Sequence, residues 1–156
     1  MIEIRRMAKG EEERISRLIE EVFAEHIDPL YPTEGRLAFR KYIHPSAIRH
    51  RRSPDYIRLV AESSDTDRRL IGVIEIKEYR HISLFFVETK YQRKGIGRRL
   101  LEAACAECRR KKRTAAITVS SSPNAIPAYQ KLGFMATGVE TVTNGIRFIP
   151  MKKWMS

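Results

Sequence analysis

The sequence predicts an α/β domain, a mixed and largely antiparallel sheet of about seven strands with helices on both faces. Three observations predict it. Apolar residues recur three and four apart at Ile15, Leu18, Ile19, Val22 and Phe23, and again at Leu100, Leu101, Ala104, Cys105 and Cys108, each set forming one face of a helix. Between these helices run three short strand-like segments separated by turn signals. A strand, a helix and another strand then follow in direct succession, the pattern of a right-handed crossover to a parallel neighbour. The 156 residues suit one domain, 1–156, large enough to bury a substantial core.

The elements fall in order. "IEIRR", Ile2 to Arg6, alternates as a strand. The first helix should end before Asp28-Pro29, because the residue ahead of a proline avoids the helical region. A second helix is predicted from about Glu34 to Ile43, and "HPSAIRHRRSP" after it reads as a loop. "YIRLVAE", "RLIGVIEIKEY" and "HISLFFV" are the three strands of an antiparallel meander, with a turn at "SSDTD" and a hairpin at "EYR". The last of them is nearly all apolar from Leu84, which places it centrally in the sheet. By alternation His81, Ser83, Phe85 and Val87 should share one of its faces. After the second amphipathic helix, "AAITVSS" should lie parallel to Phe85 through Val87. A short helix "NAIPAYQKL" ends at Gly133, and two strands, Phe134 to Thr143 and Gly145 to Lys153, meet at the hairpin signal Asn144-Gly145.

Composition narrows the function. Thirty Lys and Arg against nineteen Asp and Glu give a formal charge of +11, which favours an anionic partner without saying which. The run Arg109 to Arg113 raises nucleic acid as a candidate, but a basic helix end also suits the carbonyl pole of the helix dipole. No apolar run approaches the roughly 18 residues of a membrane span, and the N-terminus lacks the apolar core of a secretory signal. A cytoplasmic location is the expectation. Cys105 and Cys108 lie inside a helical pattern and not at a helix start, so they read as small buried apolar residues and not as a redox pair. No second Cys/His pair accompanies them to make a zinc site, and no metal is expected.

Between the third strand and its following helix lies "YQRKGIG", Tyr91 to Gly97. A dinucleotide fingerprint would need a third glycine where Leu100 stands, and the Gly-Lys-Ser/Thr ending of a P-loop is absent. What remains is a compact turn whose backbone amides, with a helix N-terminus, grip a pyrophosphate. Gly95 and Gly97 would let backbone approach phosphate oxygens without a Cβ in the way.

This stretch resembles the Q/R-x-x-G-x-G/A signature of the GNAT (GCN5-related N-acetyltransferase) family. The apolar strand before it, the helix and strand after it and "NAIPAYQKLGF" resemble that family's two central motifs in order and spacing. The likeness extends over nearly the whole chain. It implies the family's fold, with a sheet splayed at its centre, and transfer of an acetyl group from acetyl-coenzyme A to an amine by direct attack. It implies that Phe85, Phe86 and Val87 pair with the pantetheine arm as an added strand would. It further implies that Gln92, Arg93, Lys94, Gly95, Ile96 and Gly97 hold the pyrophosphate. Asn124 would contact the cofactor arm, and it is equally a plain helix N-cap. Tyr129 occupies the general-acid position that protonates the departing thiolate.

Two positions depart from the family pattern. Thr89 stands where the family often has proline, and His81 stands eleven residues before Gln92, where one branch of the family has a glutamate base. Histidine suits the removal of an amine proton near neutrality, so His81 is the first candidate base, against a plain hydrogen-bonded strand-entry role. Glu75 is the second, against a solvated sheet face; water is the third. The acceptor, a small molecule or a peptide amine, is open, although the positive charge disfavours polyamines. The segment from His26 to Arg52 should cover its site. Oligomeric state is open, a homodimer included. Two other classes remain: an acyl-coenzyme A sensor that binds without turnover, and a basic nucleic-acid-binding protein.

Overall fold

The computed structural model describes residues 1–51, 54–65 and 67–155. In chain order its elements are β1 (Ile2–Arg6), α1 (Glu12–His26), α2 (Thr33–Tyr42), α3 (Pro45–His50), β2 (Tyr56–Ser63), β3 (Leu70–Lys77), β4 (His81–Val87), α4 (Ile96–Lys112), β5 (Ala116–Ser121), α5 (Ile126–Lys131), β6 (Met135–Ala136), β7 (Thr141–Thr143) and β8 (Ile146–Trp154). The predicted strand from Phe134 to Thr143 is two short pieces, β6 and β7, that pair with opposite parts of β8. The predicted loop after Ile43 contains a helix. Pro45 occupies a first-turn position where no amide is needed, and His44 Nδ1 accepts from the Ser46 amide at 3.2 Å, so a proline and a histidine cap start α3 where composition suggests a loop. Arg52 and Ser53 at the end of that predicted loop, and Thr66 in the predicted turn, lie outside the described residues.

The sheet runs β1-β2-β3-β4-β5-β8-β6, with β7 beside β8. Every pairing is antiparallel except β4 with β5. One face is covered by α4, whose Ile96, Leu100, Leu101, Ala104, Cys105 and Cys108 are buried against residues such as Ile74, Ile76, Ile82 and Ile117. The other face of β2 to β4 is covered by α1, whose Ile15, Leu18, Ile19 and Val22 pack with Val60, Val73 and Leu84. Each of the buried aliphatic side chains contributes about 1.5–3 kcal/mol on leaving water, so these two stripes fix both helices to the sheet.

Two irregularities shape the centre. The parallel pairing of β4 with β5 is confined to His81↔Thr118 and Ile82↔Val119, so the strands part after Ile82. Phe85 through Val87, predicted to lie beside β5, therefore face a gap. The second irregularity is a bulge. Glu75 pairs with Leu84 but Ile76 pairs with Ile82, leaving Ser83 as an extra residue in β4. Ile82 consequently faces α4 while Leu84, two residues on, faces α1. The predicted common face of His81, Ser83, Phe85 and Val87 does not exist. Phe85 and Val87 point at α4, where a Cβ on Gly97 would lie 3.6 Å from the Phe85 ring and 3.9 Å from Val87. Ser83 points the other way, to Glu75.

The β7–β8 hairpin turns at Asn144 (φ 54°) and Gly145 (φ 77°), both left-handed as a two-residue hairpin of this kind requires. It rests on the start of α2: an added Cβ on Gly145 would lie 2.6 Å from Pro32, and one on Gly35 would lie 2.8 Å from Ile146. α2 in turn packs on β4 through Phe39 and Phe86, with ring centroids 6.0 Å apart. The two strands that part after Ile82 are thus rejoined on the α1 face by α2 and the hairpin.

Candidate active site

The site is built on the fork between β4 and β5. Past Ile82, the β4 edge turned toward β5 has no strand partner among the described residues, because β3 occupies only its other edge. Its backbone N–H and C=O groups are open to an extended ligand, in the manner of an added strand. Gln92 reaches back and donates from Nε2 to the Val87 carbonyl at 2.9 Å, which ties the glycine turn to the end of the strand.

At the open end of the fork, Gln92, Arg93, Lys94 and Gly95 are exposed. Arg93 (φ 62°) and Gly95 (φ 82°) are left-handed, and this curls the turn ahead of α4. Arg99 donates to the Gly95 carbonyl at 3.1 Å, and the amides of Ile96, Gly97 and Arg98 precede the first residue with an intrahelical acceptor. No acidic residue stands in that first turn and no side chain caps it. These free amides and the positive helix pole favour an anion. The two glycines serve different needs. Gly95 requires its left-handed φ, and a Cβ there would meet no atom within 4 Å; the missing Cβ of Gly97 faces Phe85 and Val87 at ordinary contact distance, so alanine would fit. The Ile96 side chain is buried and anchors the helix start, leaving only its amide for a ligand.

Tyr129 comes from α5, which lies along the α4 face of the fork. Its ring packs on Phe85 at 6.2 Å and edge-on to Phe134 at 5.3 Å between centroids. Its hydroxyl has no hydrogen-bond partner among the described residues, and burial pushes its pKa up, so it is a protonated donor. Asn124 is exposed in the turn before α5 and caps nothing. The N-cap is Ala125, without a side-chain bond, so the plain capping role predicted for Asn124 is not filled.

His81 stands at the closed end of the fork, half-buried. Thr118 Oγ1 lies 3.3 Å from the Arg80 carbonyl, to which its hydroxyl donates, and 2.8 Å from His81 Nδ1. In the tautomer that carries its proton on Nδ1, Thr118 accepts from Nδ1–H and the neutral imidazole keeps its lone pair on Nε2. Burial first, then the charges of Arg80 and Lys77, push the imidazole below its ordinary pKa of 6.5. It is neutral at pH 7.

Glu75 is neither solvated nor a base. It is fully buried, and it accepts from Tyr42 Oη at 2.8 Å, Ser83 Oγ at 2.6 Å, Arg51 Nε at 3.3 Å and Arg58 Nε at 2.5 Å. Burial raises its pKa, but the Arg51 and Arg58 guanidiniums outweigh burial and hold the carboxyl below the usual range. Its oxygens have no room left for a proton from the cleft. Arg51 and Arg58 also donate to the carbonyls of Tyr42 and Ile48, which tie the ends of α2 and α3 to the sheet. Nothing in the sequence signals this cluster except the polar breaks at Arg58, Glu75 and Ser83 within apolar strands.

Residues 27–155 match the family model described as an acetyltransferase (GNAT) domain. The chain belongs to the GNAT acetyltransferases. Their donor is acetyl-coenzyme A, and the splayed sheet of the fold is the one found here. PaiA N-acetyltransferase from Thermoplasma acidophilum, in complex with coenzyme A, is similar at 23% identity, with 99% of this chain and 99% of that one covered and a TM-score of 0.78. A GNAT-family acetyltransferase from Staphylococcus aureus Mu50 covers 100% of both chains at 14% identity and a TM-score of 0.75. A spermidine N-acetyltransferase variant from Vibrio cholerae is similar at 18% identity and a TM-score of 0.63, over 98% of this chain and 93% of its own. No curated protein sequence matches. Among the described residues no helix is long and apolar enough to cross a membrane, and no group of three His, Cys, Asp or Glu is placed to hold a metal ion.

Proposed function

We propose that residues 1–156 form one GNAT domain that acetylates a primary amine on a small molecule, with His81 as base and Tyr129 as acid. Phe85 to Val87 present open backbone to the pantetheine arm, and the turn from Gln92 to Gly97 offers amides to the pyrophosphate, with Arg93 and Lys94 adding charge. Asn124, whose side-chain amide has no hydrogen-bond partner among the described residues, is the added contact to the arm. The amine lone pair attacks the thioester carbonyl carbon. The C–S bond breaks, the amine proton passes to His81 Nε2, directly or through water, and the thiolate takes a proton from Tyr129 Oη. The observation that carries this reading is the closed end of the fork, where His81 Nδ1 lies 2.8 Å from Thr118 Oγ1, Nε2 has no hydrogen-bond partner among the described residues, and burial lowers the imidazole pKa.

We place the reaction in the cytoplasm, to which the free, buried thiols of Cys105 and Cys108 are suited. The test is thiol release from acetyl-coenzyme A across a panel of amino acids, aminoglycosides, polyamines and peptides with free N-termini. Acceptor-dependent release is expected with small amines. Tight coenzyme A binding with no release from any acceptor would leave a sensor and not an enzyme.

A further inference from the structure

One polar side chain in the fork is not used by the reaction above. Ser83 is the extra residue of the β4 bulge and the first residue beyond the last β4–β5 pair, Ile82↔Val119. It is half-buried, on the side of the strand that faces Glu75, and it follows His81 by two residues. Its Oγ lies 2.6 Å from Glu75 Oε1. Glu75 is wholly enclosed and paired with two guanidiniums, at 3.3 Å to Arg51 and 2.5 Å to Arg58. A carboxylate so paired only accepts hydrogen bonds. The single proton of Ser83 is therefore committed to Glu75, and the hydroxyl is left with lone pairs alone for anything entering the fork.

This direction matters for chemistry. A hydroxyl free to rotate would donate to an amine lone pair, the same pair that must attack the thioester. A hydroxyl pinned by Glu75 can only accept from N–H. We propose that Ser83 Oγ accepts a hydrogen bond from the acceptor's amine at the closed end of the fork, and that Glu75 is the positioning residue that sets the direction of that bond. The inference rests on the acetyl-transfer reading for its substrate. An ammonium entering the site loses one proton through His81 Nε2 to solvent and keeps one N–H on Ser83, the freed lone pair is then turned toward the carbonyl carbon, and the proton shed on attack passes to the neutral His81. The bulge supplies the geometry, since it puts Ser83 on the same side of β4 as its neighbour Leu84, where strict alternation would oppose them.

Ser83→Ala tests it, because Tyr42, Arg51 and Arg58 still satisfy Glu75 in that variant. The acceptor KM should rise about tenfold, the loss of one hydrogen bond to a charged donor, with the coenzyme A dissociation constant unchanged. Ser83→Thr, which keeps the hydroxyl, should restore the KM to within about threefold. An acceptor KM equal to that of the unmodified protein, or a parallel rise in the coenzyme A dissociation constant, overturns the proposal. A second readout does not depend on turnover: titration of the coenzyme A-loaded protein with n-propylammonium, followed at the Leu84 amide by NMR. A saturable shift lost in Ser83→Ala supports the proposal even if no acceptor is acetylated, in which case only the acetyl-transfer reading fails. No shift in the unmodified protein, or the same shift in both, overturns it.

Discussion

Glu75→Gln isolates the energetics of the buried cluster. The substitution keeps size and shape but removes the negative charge that, among the described residues, pairs with both Arg51 and Arg58, whose side chains are only 11% and 8% exposed. Two guanidiniums then remain close together out of water, met by the carbonyls of Tyr42, Ile48 and Arg51 and by the Tyr42 ring but by no carboxylate among the described residues. Removing one partner of a buried ion pair costs about 3–5 kcal/mol, because the penalty is the uncompensated charge and not the lost contact. In a domain of this size each kcal/mol lowers Tm by about 2–4 °C, so the expected fall is about 6–20 °C. Scanning calorimetry in low and high salt is the assay. A buried cluster is poorly screened, so the fall should persist in 1 M salt. The folded carboxyl lies below its ordinary pKa, so its stabilisation is present above about pH 4.5 and is lost as pH falls through the folded value. Glu75→Gln should flatten this acid limb. A Tm change under about 2 °C, or one abolished by salt, would refute the reasoning.

Three further outcomes follow from the site. Tyr129→Phe should lower kcat about tenfold or more, at unchanged coenzyme A affinity by calorimetry, since the ring still packs on Phe85 and Phe134 and only the proton donor is lost. Because burial and the charges of Arg80 and Lys77 lower the His81 pKa, turnover should rise as pH climbs through a value below 6.5 and stay level to neutrality. His81→Ala should remove that rise from the pH–kcat profile; a profile still rising there would assign the base elsewhere. Gly95→Val forces a branched side chain to φ 82° and should weaken coenzyme A binding at least tenfold, whereas Gly97→Ala, in ordinary contact with Phe85, should stay within about threefold by the same calorimetry.

Much of this architecture was legible in the chain because its signals are local. The apolar stripes of α1 and α4, the alternation of β2 and β3 and the Asn144-Gly145 turn each lie within a few consecutive residues, and each is where periodicity placed it. The glycine turn was legible for the same reason. What escaped depends on pairing between distant segments. A bulge at Ser83 is a mismatch of count between β3 and β4, and nothing inside "HISLFFV" records it, so the alternation expected from His81 to Val87 does not hold. Glu75 looked like one solvated position in "VIEIKE". Its burial is decided by Arg51 and Arg58, which come from other parts of the chain. α3 is hidden in the sequence because a histidine cap and a first-turn proline in a basic stretch look like a loop.

The contact between α2 and the β7–β8 hairpin closes a ring of elements on the α1 face of the fork. Its rim runs from β4 through Phe86 and Phe39 to α2, crosses at Gly35 to Ile146, and returns along β8 and β5 to the His81–Thr118 pair. The crossing has no slack, since a methyl group at Gly35 or Gly145 would collide with the opposite side. Two glycine hydrogen atoms thus let helix and hairpin meet. On the proposed reading, an amine that reaches the thioester from this side is limited in width by that crossing, and a bulkier one has to lever the hairpin off the helix before it arrives.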